Sequence, residues 1–282
     1  MGEQVFLISG DFIMADEFVN ENENNGESKK KKAKLIILFI IVFLIVFLGV
    51  YFGMQLYNQY MIDKPATTQS TTVPPATKQE ESKVENPIDF KTLQEQNSEI
   101  YAHIIIEDTN VNYPIVQSAA NDAFYLKHKA EDKSWSASGA IYTELVNSKD
   151  FGDRVTLIYG HNGYSDTFFT TLHKFEDEEF FTNHPYFYIY TPDRRLTYQV
   201  ISAFKYDDRH IMNSFNFSNN SEFLEFEQYL LNPASALKNV REQLDTELDE
   251  NSNIVVLSTC ITNQKSSRYL VCGVLVKDEQ TY

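Results

Sequence analysis

Cys260 is placed in the sequence where a nucleophile would be useful. It ends an apolar segment, 253–260, that reads as a β-strand, and a polar segment, 261–267, follows it. A side chain at the end of a strand has rigid support and remains open to a substrate. A thiol reacts as the thiolate, so it needs a neighbouring base or cation that lowers its pKa. Cys260 is therefore a candidate nucleophile that requires partners.

Two residues are candidates for those partners. His161 follows the apolar segment 155–158, and an imidazole at this point can return a proton to a leaving amine. Arg268 lies eight residues after Cys260, at the start of the next expected strand. If those two strands are antiparallel neighbours, Cys260 and Arg268 face each other across the mouth of a hairpin. A guanidinium there can donate charge-assisted hydrogen bonds to a substrate carbonyl or a developing oxyanion.

Each of these residues alone has an ordinary structural explanation. A cysteine at a strand end is often a small buried apolar side chain, and single histidines and arginines are usually packed, solvated or ion-paired. The substrate-binding candidates are weaker still. Asn162 could orient His161, and Ser258 and Thr259 could place hydroxyls in a substrate groove, with strand-end packing as the equal alternative.

The other thiol and the other histidines are expected to be structural. Cys272 lies well inside the last expected strand, too far from Cys260 for a disulfide, which needs Cα atoms within about 7 Å. The remaining five histidines have none of the spacings that recommend a metal site. The sequence also has no glycine-rich phosphate loop. We therefore expect no metal and no cofactor.

The elements that must position these residues are mainly β-strands. Period-two alternation of β-branched and aromatic residues predicts eight strands, at 100–106, 112–117, 139–144, 154–160, 186–191, 196–206, 253–259 and 268–276. Helical patterns interrupt them at 88–99, 166–178 and 221–245. Many strands with few helices favour a closed, eight-stranded β-barrel with peripheral helices.

A membrane anchor is predicted before this domain. Residues 35–54 form an uncharged run, and twenty residues of helix span about 30 Å, the thickness of a hydrocarbon core. The run lacks the polar stripe of a core helix, and no small-residue cleavage site follows it. Five lysines between positions 29 and 34 precede it, which predicts a cytoplasmic tail, 1–34, and an extracellular remainder.

The extracellular part divides into two regions by composition. Residues 55–86 include a Thr-, Pro-, Ser- and Glu-rich stretch with almost no large apolar side chains, which predicts a flexible stalk. Residues 87–282 form one domain of ordinary size. The formal net charge of the whole chain is −16, which argues against nucleic acid as a partner because such binding depends on Lys and Arg.

The combination of motifs resembles the sortase family. The residues that carry the resemblance are Leu257-Ser258-Thr259-Cys260, Arg268 eight positions later, and Tyr159-Gly160-His161-Asn162. Further matches are 113–117, 121–128 and 138–142. The segment 161–191 and the long insertion before the last two strands are similar to class B sortases. The resemblance covers about 88–277. A methionine common soon after the Gly-His-Asn motif is absent, since Gly163 and Tyr164 follow it here.

The resemblance implies a cysteine transpeptidase with His161, Cys260 and Arg268 as catalytic residues. Such an enzyme, anchored in the membrane of a Gram-positive bacterium, cuts a C-terminal sorting signal of LPXTG or NPQTN type through a thioester. An amine of the cell wall, or a lysine of a pilin, then resolves the thioester. The alternatives are a cysteine protease or hydrolase that uses water, and a surface binding module without activity.

Overall fold

The computed structural model describes residue 48 and residues 83–282, apart from Tyr164, and gives Lys265 by its backbone alone. The predicted tail, the predicted anchor except Leu48, and almost all of the predicted stalk therefore lie outside the described residues. Within the described part, no helix is long and apolar enough to cross a membrane. One compact unit of the chain runs from Lys78 to Tyr282.

Nine strands and several short helices make up this unit. The strands are β1 Ile100–Ile105, β2 Asn112–Val116, β3 Ile141–Thr143, β4 Val155–Tyr159, β5 Tyr186–Tyr190, β6 Arg194–Asp207, β7 Lys238–Val240, β8 Ile254–Ile261 and β9 Gln264–Gln280. The α-helices are α1 Phe90–Gln96, α2 Glu178–Asn183, α3 Ile211–Ser214 and α4 Asn220–Leu231. Two 3₁₀ helices cover Phe124–Leu126 and Thr170–Glu176.

The strands close into a barrel. Their order is β5-β1-β2-β3-β4-β8-β9-β6-β7, and β5 also pairs with β6. The pairing of β5 with β6 makes a ring of eight strands, with β7 attached outside it along β6. The prediction of a mainly β, closed eight-stranded barrel with peripheral helices is confirmed, and all eight predicted strands are present.

The barrel has apolar residues on both sides of its wall. Val255 and Leu257 of β8 belong to the interior cluster, whereas Ile254 and Val256 belong to an outer cluster. That outer cluster also contains Phe223, Phe226 and Leu230 of α4, so the helix covers the outer face of β8. The alternation follows from the period of two along a strand.

The predicted helix 221–245 is wrong in its second half. Helix α4 ends at Leu231, where Asn232 caps it, and strand β7 follows at Lys238–Val240. Proline lacks a backbone N–H and clashes with the preceding turn, so Pro233 prevents the helix from continuing. The predicted helix 166–178 is likewise replaced by the 3₁₀ helix Thr170–Glu176 and by α2, which Asp177 caps.

The chain enters the barrel slightly before the predicted domain boundary. Val84 forms a parallel bridge with Thr281 at the end of β9. The side chain of Asn86 donates hydrogen bonds to the Thr191 carbonyl (2.9 Å) and the Thr281 hydroxyl (3.3 Å). These last residues of the predicted stalk therefore pair with the barrel.

Candidate active site

The register of β4 and β8 brings His161 beside Cys260. These two strands are parallel neighbours, and their last aligned pair is Tyr159 with Ser258. His161 and Cys260 each lie two residues further on. Because side chains alternate with a period of two, both emerge at the same level and on the same face of the wall.

The register of β8 and β9 brings Arg268 to the other side of Cys260. The strands are antiparallel, and Cys260 is aligned with Arg268, as the spacing of eight residues predicts. The strand order β4-β8-β9 therefore sets His161, Cys260 and Arg268 in one row across three adjacent strands. With neighbouring strands about 4.8 Å apart, this row is about 10 Å wide.

The row lines a small cavity of about 180 Å³. Its lining consists of Leu126, Tyr142, Tyr159, Gly160, His161, Ser258, Thr259, Cys260 and Arg268. Cys260 is exposed, so a peptide can reach its thiol. The cavity thus combines a thiol, an imidazole and a guanidinium with two aromatic walls.

One backbone carbonyl contacts the ring of His161, and close packing holds the residue before it. Its Nε2 lies 2.9 Å from the Leu126 carbonyl oxygen. Since a carbonyl only accepts hydrogen bonds, Nε2 is the donor in this contact and carries a hydrogen. The preceding Gly160 packs closely, because a Cβ there would lie 2.5 Å from the Phe169 ring and from Ile141.

The two tyrosines of the cavity stay neutral. Tyr142 and Tyr159 stack with ring centroids 5.3 Å apart. Burial and then the Glu144 carboxylate raise the pKa of Tyr142 to about 12, and the same two causes raise the pKa of Tyr159 as well. Neither phenol therefore exchanges protons near neutral pH. They can offer apolar surface and hydroxyl hydrogen bonds to a substrate.

Arg268 is partly buried beside the thiol. One of its guanidinium nitrogens, Nη1, donates a hydrogen bond to the Ser267 carbonyl at 3.0 Å. On its far side, Arg268 is aligned with Tyr206 of β6. The side chain is thus flanked by strands on both sides, which limits the directions in which its donors can point.

The three weaker candidates differ in position. Ser258 lies on the same face as Cys260 and lines the cavity, although only 5% of its surface is exposed. Thr259 is also buried, and its hydroxyl makes no hydrogen bond with any part of the chain that the structure describes. Asn162 does not line this cavity. Its amide donates instead to the Cys260 carbonyl at 2.9 Å.

Cys272 lies apart from the site. It is aligned with Val256 and fully buried in the outer cluster, and burial raises the pKa of its thiol. Both cysteines are free. Among the residues the structure describes, no group of three or more His, Cys, Asp and Glu side chains could hold a metal ion.

Sequence reasoning missed part of the cavity wall. Leu126 comes from a 3₁₀ helix and Tyr142 from a strand of three residues; both lie in segments that resemble the family, but neither residue type marks it as part of a site. His210 adjoins the same wall. Its Nε2 lies 2.9 Å from Glu144 Oε2 and 3.2 Å from the Tyr159 hydroxyl. Only the alternation along β4 could have placed Tyr159 on the face of His161.

Comparisons with known proteins identify the fold and the family. Residues 104–276 match the family model described as the sortase domain. Sortase B of Listeria monocytogenes is 26% identical over 190 residues, which cover 67% of this chain and 74% of that protein. A crystal structure of sortase B from B. anthracis in complex with AAEK1 has a TM-score of 0.57 and 31% identity, covering 67% of this chain and 84% of that one.

A second solved structure gives the same result. The X-ray structure of Clostridium perfringens sortase B has a TM-score of 0.57 and 26% identity, covering 67% of this chain and all of that one. The region matched by the family model, 104–276, contains His161, Cys260 and Arg268. This chain therefore belongs to the sortase family of cysteine transpeptidases and is similar to its class B members.

Proposed function

We propose that His161, Cys260 and Arg268 are the catalytic residues of a transpeptidase that cleaves a C-terminal sorting signal and joins the protein to an amine of the cell wall. The observation that carries the proposal is the single row of thiol, imidazole and guanidinium across β4, β8 and β9. Membership of the sortase family supports it.

The thiolate of Cys260 attacks the threonine carbonyl of a signal of LPXTG or NPQTN type. A carbon–sulfur bond forms, and the carbon–nitrogen bond to the next residue breaks. His161 gives a proton to the departing amine. An acceptor amine then attacks the thioester, gives up a proton to His161 and displaces the Cys260 thiolate. Arg268 donates hydrogen bonds to the carbonyl oxygen while it carries negative charge.

The full-length protein in detergent tests this reaction directly. Fluorescent peptides with either type of signal are incubated with and without an oligoglycine, a diaminopimelate peptide or a lysine-containing pilin peptide. We expect a thioester adduct at Cys260 by mass spectrometry, and a peptide–amine product that depends on the acceptor. Hydrolysis at the same rate with and without amines would indicate a protease instead. Absence of any adduct would indicate a binding module.

The location is also part of the proposal. The five lysines before residue 35 support a cytoplasmic N-terminus, an anchor at 35–54 and an extracellular catalytic domain. Sortases are typically enzymes of the membrane or cell envelope, in agreement with this topology. Protease added to intact protoplasts should digest the domain and spare the N-terminal tail. Survival of the domain in that experiment would rule the topology out.

Arg268→Lys should separate hydrogen bonding from charge. Lysine keeps the positive charge but not the planar, forked donors of a guanidinium. We expect a loss of about 2–4 kcal/mol in transition-state stabilisation, the range for removal of an oxyanion donor. Alkylation of Cys260 by iodoacetamide should stay close to the wild-type rate. If peptide turnover and alkylation fall together in the Arg268→Lys variant, or if the variant keeps wild-type turnover, Arg268 acts through its charge on the thiolate.

A further inference from the structure

Side chains hold the main chain of Cys260 at the point where regular strand pairing stops. The β8–β9 ladder shifts register directly after Cys260. On the other side, the last aligned pair of β4 and β8 is Tyr159 with Ser258, followed by one backbone hydrogen bond from Gly160 N to Ser258 O. Cys260 is therefore the last residue of β8 in regular register with β9, and His161 lies two residues beyond the end of β4.

The carbonyl of Cys260 has two side-chain neighbours here. Asn162 Nδ2 donates to it at 2.9 Å, and His173 Nε2 lies 3.1 Å from it. Asn162 directly follows His161 in the chain. Its bond to Cys260 thus joins the segment that carries the imidazole to the strand that carries the thiol.

Glu176 fixes the ring of His173. The Nδ1 of His173 lies 2.5 Å from Glu176 Oε1, and the ring stacks on Tyr269 with centroids 4.9 Å apart. An ionised carboxylate only accepts, so Nδ1 carries the hydrogen. In the neutral ring Nε2 is then an acceptor, and Asn162 Nδ2 lies 3.2 Å from it. The two hydrogens of the Asn162 amide are thus shared among His173 Nε2, the Cys260 carbonyl and the Thr262 hydroxyl, whose oxygen lies 3.1 Å from Nδ2.

We propose that Asn162, His173 and Glu176 form a clamp that sets the separation of His161 and Cys260. The order of the contacts is carboxylate, imidazole, amide and peptide carbonyl. Asn162 and His173 are positioning residues, because they act through the backbone of Cys260 and do not line the cavity that contains its thiol. This inference rests on the proposed catalytic roles of Cys260 and His161. It gives Asn162 a different role from substrate binding.

The geometry predicts an effect on turnover more than on binding. A displacement of about 1 Å in a reacting group can lower a rate by about 10²-fold. The clamp does not line the cavity that contains the thiol, although its residues line a neighbouring cavity of about 520 Å³. A role through the backbone of Cys260 predicts that the KM for the peptide changes little. Removing the amide of Asn162 should therefore lower kcat by about 10- to 100-fold with KM within about twofold.

Two substitutions at His173 distinguish hydrogen bonding from packing. His173→Phe keeps a ring that can stack on Tyr269 but loses both hydrogen-bonding nitrogens. His173→Gln loses the ring but retains an amide that can accept from Asn162 and donate to the Cys260 carbonyl. A clamp that works through hydrogen bonds predicts low kcat for His173→Phe and near-normal kcat for His173→Gln. A packing role predicts the reverse order.

His184 provides the matched control. It stacks on Phe180 at 3.8 Å between centroids, and its Nε2 lies 2.9 Å from Asp108, so it is also a stacked histidine paired with a carboxylate. Within the part of the chain that the structure describes, His184 makes no hydrogen bond with Cys260 or Asn162. His184→Gln should leave kcat within about twofold of wild type.

The experiment measures kcat and KM for signal-peptide cleavage by full-length Asn162→Ala, His173→Phe, His173→Gln and His184→Gln, with a thermal melt of each. We expect a fall in kcat for the first two, with melts that remain cooperative, and near-normal values for the last two. Normal kcat in Asn162→Ala, or a greater loss in His173→Gln than in His173→Phe, would overturn the clamp. Wild-type protein that forms no adduct would instead overturn the proposed function and, with it, this role.

Discussion

A Cys260→Ala variant should form no thioester and should show no peptide cleavage above background. The exposed thiol lies at the centre of the row and is its only thiol, so no other side chain there can form a thioester. In a serine protease, removal of the catalytic nucleophile lowers kcat by a factor on the order of 10⁶. Liquid chromatography of the peptide measures cleavage, and mass spectrometry of the protein measures the thioester adduct.

Cys272→Ala is the control for this variant. Its thiol is buried, and the raised pKa keeps it protonated, so it should contribute packing rather than chemistry. We expect activity within a few-fold of wild type and a small loss of thermal stability from the cavity. A folded Cys272→Ala protein without activity, beside an active Cys260→Ala protein, would reverse the assignment of the nucleophile.

His161→Ala should lower turnover by a factor of about 10² to 10⁴, the usual contribution of a positioned acid or base. Its imidazole lines the same cavity as the thiol, and its Nε2 donates a hydrogen bond to the Leu126 carbonyl. The protein should remain folded, because His161 is not part of the apolar core. Single-turnover kinetics with the peptide would locate the loss in thioester formation.

His128→Ala is a suitable comparison for that variant. The ring of His128 stacks on Phe124 with centroids 4.0 Å apart, and its Nδ1 lies 2.7 Å from the Phe124 carbonyl oxygen. These contacts indicate a structural role in its own loop. Its substitution should leave turnover close to wild type, provided the thermal melt is unchanged. Near-normal turnover in folded His161→Ala would exclude the imidazole as the acid.

The barrel and the pairing of Cys260 with Arg268 could be predicted because they depend on local patterns. The period of two along 253–259 and 268–276 identifies both strands, and a spacing of eight residues fits a hairpin that pairs Cys260 with Arg268. The pairing of β4 with β8 is different. It joins segments far apart in the sequence, and no local pattern shows that they are parallel neighbours.

The parts that could not be predicted depend on tertiary contacts. One error has a local cause instead: the apolar spacing of 221–245 continues past Pro233, but the proline itself marks the end of α4 before β7. His173 sits in a 3₁₀ helix and looks like an ordinary surface or packed histidine in the sequence. Its position near the Cys260 carbonyl exists only because that helix folds across the end of β8.

The parallel pairing of β4 with β8 also bears on when activity can arise during synthesis. The two strands lie roughly a hundred residues apart, and contacts between such distant segments form late and slowly. Cys260 and Arg268 belong to the last two strands, and β6 can complete its ladder only after β9 has left the ribosome. A partly synthesised or truncated chain thus holds His161 without the thiol. The protein gains the ability to cut peptide bonds only after β9 has been made.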